Sequence, residues 1–167
     1  YEGFRGLIEF EDVVPLGSDT YNSTTNGNMD RPVVADPQGT EVNQAYLEYV
    51  GADDTSVKAG RQVFTLDNHR FVGHVGWRQN QQTFDGVVLK TTSVDGLDLT
   101  AGVLTGVNRI FGDEHPAGDE AMNSQILNAA HTFDGYGKLS VYAYLLDFDK
   151  ALGASTRVFE LMDRTSR

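Results

Sequence analysis

The stretch Leu97-Asp98-Leu99-Thr100-Ala101-Gly102-Val103-Leu104-Thr105-Gly106-Val107-Asn108 decides the fold. Leu97, Leu99, Ala101, Val103, Thr105 and Val107 alternate with Asp98, Thr100, Gly102, Leu104, Gly106 and Asn108, the period-two pattern of a β-strand with two unlike faces. Its twelve residues cover the roughly 9 to 11 that a tilted strand needs to cross a bilayer. Working outward, similar alternation recurs in segments of about ten residues separated by Gly, Asp and Asn clusters, while helical periodicity is almost absent. Towards the start, Phe4, Ile8 and Phe10 share a face with Gly6, against Arg5, Glu9 and Glu11. The segment from Glu41 to Val50 sets Ala45, Leu47 and Tyr49 against Gln44, Tyr46 and Glu48. A third, from Thr55 to Leu66, opens with Val57 and Ala59 against Lys58 and turns irregular at Gly60-Arg61, where a bulge is expected. A fourth, from Gln82 to Thr92, alternates poorly, and its faces are not assigned. Beyond the central stretch, a weak segment at Gln125 to Thr132 precedes a clearer one in which Leu139, Val141, Ala143 and Leu145 oppose Ser140, Tyr142 and Tyr144. An eighth strand near Thr156 to Leu161 competes with a helix over Val158 to Arg164. The expected fold class is all-β, an antiparallel meander of roughly eight strands.

The connections sharpen this reading. Short ones at Gly51 to Asp54, Val94 to Gly96 and Asp134 to Gly137 carry Asp95-Gly96 and Asp134-Gly135, which suit the positive φ angles of hairpin turns. Long ones fall at Val14 to Thr40, Asp67 to Asn80 and Arg109 to Asn123, in strict alternation with the short ones. A meander of that kind gathers its long loops at one end, as transmembrane barrels do. Periodicity alone leaves a soluble barrel or sandwich open beside the membrane barrel, because alternate residues keep mean hydropathy low in both.

Composition narrows the function. The 167 residues fit one domain, 1–167, and contain no cysteine, which excludes disulfide scaffolds, cysteine nucleophiles and zinc fingers. A net charge of −11 has the wrong sign for a nucleic-acid partner. No apolar run reaches the roughly 18 residues of a membrane-spanning helix. The chain opens at Tyr1 without a leader and enters the first strand almost at once, so a piece of a longer protein, incomplete at both ends, is expected.

Several stretches in order carry a resemblance: Pro32-Val33-Val34-Ala35-Asp36-Pro37-Gln38-Gly39-Thr40-Glu41-Val42-Asn43-Gln44-Ala45-Tyr46, Gly60-Arg61-Gln62, Leu66-Asp67-Asn68-His69-Arg70-Phe71-Val72-Gly73, Val75-Gly76-Trp77-Arg78-Gln79-Asn80 and Gln82-Thr83-Phe84-Asp85. With Val107-Asn108-Arg109-Ile110-Phe111-Gly112 and Ala143-Tyr144-Leu145-Leu146-Asp147-Phe148, these resemble the alginate-export family of Gram-negative outer-membrane β-barrels. The resemblance runs from about Leu7 to Phe148 and fades after Leu152. It implies a transmembrane β-barrel, of which this chain is a fragment, in the bacterial outer membrane. It also implies a channel or porin that passes a polysaccharide or small solute by diffusion through a charged lumen, with no cofactor and no enzymatic activity. Implied partners are outer-membrane lipid and lipopolysaccharide, and an anionic polysaccharide as permeant, with the barrel a monomer. The alternative is a soluble β-domain that binds carbohydrate through its long loops and tyrosines.

Candidate pathway residues are the basic Arg5, Lys58, Arg61, Arg70, Arg78 and Arg109, since rings of one charge select the opposite ion. The acidic Glu9, Glu48 and Asp85 on the same strands pair with them in the competing reading, as a structural ladder. Tyr46, Tyr142 and Tyr144 offer stacking surfaces to sugar rings or else pack against neighbouring side chains. The segment from Asp67 to Asn80 is too apolar for a solvent loop, with Phe71, Val72, Val75 and Trp77. It is expected to fold into the barrel mouth, as a constriction or as a packing plug anchored by Trp77, with Arg70 and Arg78 near Arg61 and Asp85. His69, His74, His115 and His131 lack metal-ligand spacing, and no metal site is expected.

Overall fold

A computed structural model describes residues 2–17, 20–51 and 54–149, and the backbone of 156–164. Tyr1 and residues 52 and 53 of the first short connection lie outside the described residues. The chain forms one antiparallel sheet with strands in sequence order: β1 (Phe4–Val13), β2 (Gly39–Val50), β3 (Thr55–Gln62), β4 (Thr83–Val94), β5 (Leu97–Asn108), β6 (Asp119–Phe133), β7 (Gly137–Leu146) and β8 (Thr156–Arg164). The eighth element is thus a strand, and β6 extends well beyond the weak segment that marks it in the sequence. Among the described residues there is no helix, and β1 and β8 are the two free edges of an open sheet. An open meander of this kind is a sector of a barrel wall. The short connections 51–54, 95–96 and 134–136 lie at one end, and 14–38, 63–82 and 109–118 at the other.

Register fixes the faces, because side chains directly opposite across a ladder share one. Val87, Val103, Gln125 and Leu145 stand side by side across β4 to β7, and so do Leu89, Ala101, Leu127 and Ala143. On this outer face Phe4, Ile8, Phe10, Leu47, Val87, Val103, Leu127 and Val141 are all exposed. The opposite row, Lys58, Val88, Gly102, Ile126 and Tyr144, faces inward, and Val88, Ile126 and Tyr144 are buried. Of the residues that alternation sets together on the central and seventh strands, Leu97, Leu99, Ala101, Val103, Leu139, Val141, Ala143 and Leu145 fall on the outer face. A soluble sandwich would bury such a face; a continuous apolar surface of this extent suits lipid as solvent. At the short-turn end the outer face turns aromatic, with Phe4 against Tyr49 (ring centroids 4.8 Å apart) and Phe133 against His131 (4.4 Å). Aromatic girdles of this sort mark the membrane interface of barrels.

Register shifts interrupt the ladders between Glu9 and Phe10, between Thr91 and Val94, and between Leu104 and Gly106 opposite Asp85 and Gly86. The bulge expected at Gly60-Arg61 does not form, because β3 keeps continuous register with both neighbours there. Gly60 faces Gly86 across β3 and β4. Gly60 has φ 123°, and a Cβ on it would stand 2.3 Å from the Ala45 carbonyl oxygen, so only glycine fits. Between Leu104 and Gly106 the β5 register shifts by a bulge, which turns Val107 inward although strict alternation placed it with Leu97 and Val103.

Candidate functional site on the inner face

The inner face has two zones. In the half nearer the long loops, Phe84, Val88, Leu104, Val107, Met122, Ile126, Tyr142, Tyr144 and Leu146 form an apolar cluster completed by Phe64, Leu66 and Val72 of the connection 63–82. That connection therefore folds down onto the wall, as its apolar composition requires. Phe71 packs over Tyr142 and Tyr144, whose rings stack 4.6 Å apart. A polar anchor accompanies the apolar one. Tyr144 Oη donates to Asp67 Oδ2 at 2.7 Å, and Asn128 Nδ2 donates to both Asp67 carboxylate oxygens at 3.1 Å. Tyr142 and Tyr144 are consequently committed to packing, and they present no open ring face to a sugar.

Nearer the short turns the inner wall is charged. Arg5, Glu48 and Lys58 lie side by side across β1, β2 and β3. Lys58 Nζ is 4.0 Å from Glu48 Oε1 and sits 4.1 Å over the Tyr46 ring. Lys90 shares this inner face one register step from Lys58, and sequence reasoning missed it. Its face is assigned only by the β3–β4 register, which sets Lys90 opposite Ser56 and Val88 opposite Lys58. Asp98 and Lys138 close this zone with an ion pair of 2.9 Å.

The other pathway candidates are dispersed. Glu9 faces inward and accepts from Gln44 Nε2 at 2.9 Å and from Asn43 Nδ2. Arg61 and Asp85 form a bidentate pair, at 3.0 and 3.2 Å. They stand in the row Ala45, Arg61, Asp85, Gly106 and Ala121, which is the outer face, at the long-loop end. The structure brings neither Arg70 nor Arg78 to that pair. Arg78 pairs with Asp36 of connection 14–38 at 3.6 Å, and Arg70 lies over the Phe71 ring at 5.1 Å. Arg109 meets Glu120 at 4.0 Å at the rim of a cavity of about 330 Å³, walled by Phe71, Phe84, Leu104, Val107, Met122 and Phe148.

The long connections are tied to one another across the mouth. Asn80 Nδ2 donates to Glu41 at 3.3 Å, Asp113 N donates to Glu41 Oε1 at 3.1 Å, and Gln79 N donates to Asp36 Oδ1 at 3.2 Å. Glu41 stands directly opposite Glu11, so the mouth is acidic where the lower wall is basic. No group of histidine, aspartate and glutamate side chains suited to a metal ion occurs among the described residues.

A family model described as alginate export matches residues 2–156 of the chain. No curated protein matches it.

Proposed function

The chain belongs to the alginate-export family, and from that premise we propose that it forms part of the wall of an outer-membrane conduit through which a polysaccharide or smaller solute diffuses along a charged inner face. The family is one of outer-membrane export proteins rather than enzymes. The observation that supports diffusion along the wall is the segregation of side chains: the exposed apolar residues of β1, β2 and β4 to β7 are on one face, and Arg5, Glu48, Lys58 and Lys90 on the other. An anionic polysaccharide would meet Arg5, Lys58 and Lys90 among the inward cations, with Glu48 and Glu9 limiting their field. On this reading the outer face takes lipid and lipopolysaccharide as its partners, in a bacterial outer membrane, and the barrel works as a monomer.

The test uses two substitutions of equal charge on opposite faces. Lys58→Gln should move the reversal potential in planar bilayers towards cation selectivity across a salt gradient, whereas Arg61→Gln should leave it unchanged. Equal shifts from both would mean that net charge, and not the inner wall, sets selectivity.

A further inference from the structure

The cavity at the long-loop end of the inner face joins an apolar wall to two charges at its rim. At about 330 Å³ it falls within the roughly 300 to 1,000 Å³ of small-ligand sites. Connection 63–82 closes one side of it, and Phe71 and the buried Val72, not the 76% exposed Trp77, hold that connection against the wall. The charges come from neighbouring strands. Val107 is buried on the inner face and stands opposite Glu120 in the β5–β6 ladder, and Arg109, two residues beyond Val107, keeps its parity. The pairing continues as far as Arg109, whose N donates to the Gly118 carbonyl at 2.7 Å. Arg109 and Glu120 are therefore diagonal neighbours on one face, with Nη1 and Oε2 4.0 Å apart. That separation is too long for a hydrogen bond. Neither the guanidinium nor the carboxylate hydrogen-bonds to any other described residue, although the Glu120 side chain is only 13% exposed. Gln82, the remaining polar wall residue, is committed, since its Nε2 donates to the Gly73 carbonyl at 2.7 Å.

A carboxylate and a guanidinium that adjoin without bonding suit a ligand carrying both complementary charges. An anion alone would be repelled by Glu120, a cation alone by Arg109, and a neutral hydrocarbon would leave both charges desolvated. Because the two protein charges are 4.0 Å apart, the ligand's own charges must adjoin as well, and the apolar wall takes the group that branches from between them. An α-amino acid with an apolar side chain has this layout. Its carboxylate can take charge-assisted N–H bonds from a guanidinium, and its ammonium can donate to a carboxylate. Phe71, Phe84 and Phe148, with the adaptable Met122, favour an aromatic side chain. We infer that this cavity binds an apolar α-amino acid, with the ligand carboxylate on Arg109, its ammonium on Glu120 and its side chain among Phe71, Phe84, Met122 and Phe148. The inference goes beyond the conduit reading and does not depend on it.

The experiment titrates the full chain in lipid nanodiscs calorimetrically with three probes. These are L-phenylalanine, 3-phenylpropionate, which lacks the ammonium, and 2-phenylethylamine, which lacks the carboxylate. Expected is saturable binding of phenylalanine, about tenfold or more tighter than either analogue. Arg109→Gln should weaken phenylalanine by about tenfold without weakening 2-phenylethylamine, and Glu120→Gln should do the same without weakening 3-phenylpropionate. Folding of each variant is checked by its migration on gels before and after heating. Equal wild-type affinity for phenylalanine and either analogue would overturn the assignment of the two charges, as would weakening of all three probes alike in both variants. Unchanged phenylalanine affinity in both variants would place the ligand elsewhere and overturn the inference. No saturable binding of phenylalanine by the folded wild-type chain would overturn the site and leave the conduit standing.

Discussion

The wall formed by β4 to β7 and the connection 63–82 that rests on it are held by different forces. The wall is a continuous sheet of neighbouring antiparallel strands whose outer apolar side chains, Val87, Leu89, Val103, Leu127 and Val141, are left exposed. The connection has little regular backbone structure, carries three non-glycine residues at positive φ (Asp67, His69 and Val75), and is fixed by Leu66, Phe71, Val72 and the bonds of Asp67. A barrel wall derives its stability from paired backbone and from the solvent its outer face meets. An inserted segment depends on a few side chains, any of which can be removed singly. The two should therefore respond to substitution independently.

The largest expected effect is on the wall. Val103→Arg places a charge beside Val87 on the outer face, next to the row of Leu89, Ala101 and Leu127, and should destabilise the protein by roughly 2 to 4 kcal/mol if it lies near the bilayer midplane. Urea unfolding in lipid vesicles measures it, and an unchanged midpoint would show that the outer face does not meet hydrocarbon. An intermediate effect is expected at the anchor. Tyr144→Phe removes the hydroxyl bonded to Asp67 and leaves the carboxylate one partner short, at a cost of about 1 to 3 kcal/mol. Hydrogen exchange should show faster exchange over 66–80 with β5 and β6 unaffected; loss of protection in both would merge the two regions into one cooperative unit. The smallest effect belongs to the Lys138–Asp98 pair, whose side chains are half exposed. Lys138→Ala should change stability by no more than about 1 kcal/mol, and a larger loss in the same urea titration would mean that the lower wall depends on its charges.

The same division governs how much of the molecule is legible in its sequence. β5 and β7 are readable because one face is largely apolar, so alternation groups Leu97, Leu99, Ala101, Val103 and Leu139, Val141, Ala143, Leu145 correctly on single faces, although it does not say that those faces are the outer one and it misplaces Val107. β6 is faint because its inner positions include Ser124 and Asn128 and its outer ones Asn123 and Gln125, leaving little contrast between faces. β4 resists assignment: glycine at Gly86 and the irregular register between Thr91 and Val94 interrupt its period, and Lys90 is lost with it. For Arg61 and Asp85 a signal does exist. Arg61 keeps the parity of Val57 and Ala59, and Asp85 that of Val87 and Leu89, so both belong with the outer face. The inward fold of connection 63–82 is visible in its apolar residues. Its anchor is not, since Asp67 and Tyr144 are 77 positions apart and nothing local links them.

The central claim is that one face of this sheet meets lipid and the other water. Because the chain contains no cysteine, single cysteines can be introduced and spin-labelled without background. Labels at Leu99, Ala101, Val103, Leu127 and Ala143 should be relaxed by dissolved oxygen, which partitions into the bilayer. Those at Lys90, Asp98, Thr100 and Ser140 should be relaxed by a water-soluble nickel chelate. Alternation of the two accessibilities with period two along β5 is the predicted result. Uniform access of the nickel chelate to both faces, or the reverse alternation, would contradict it.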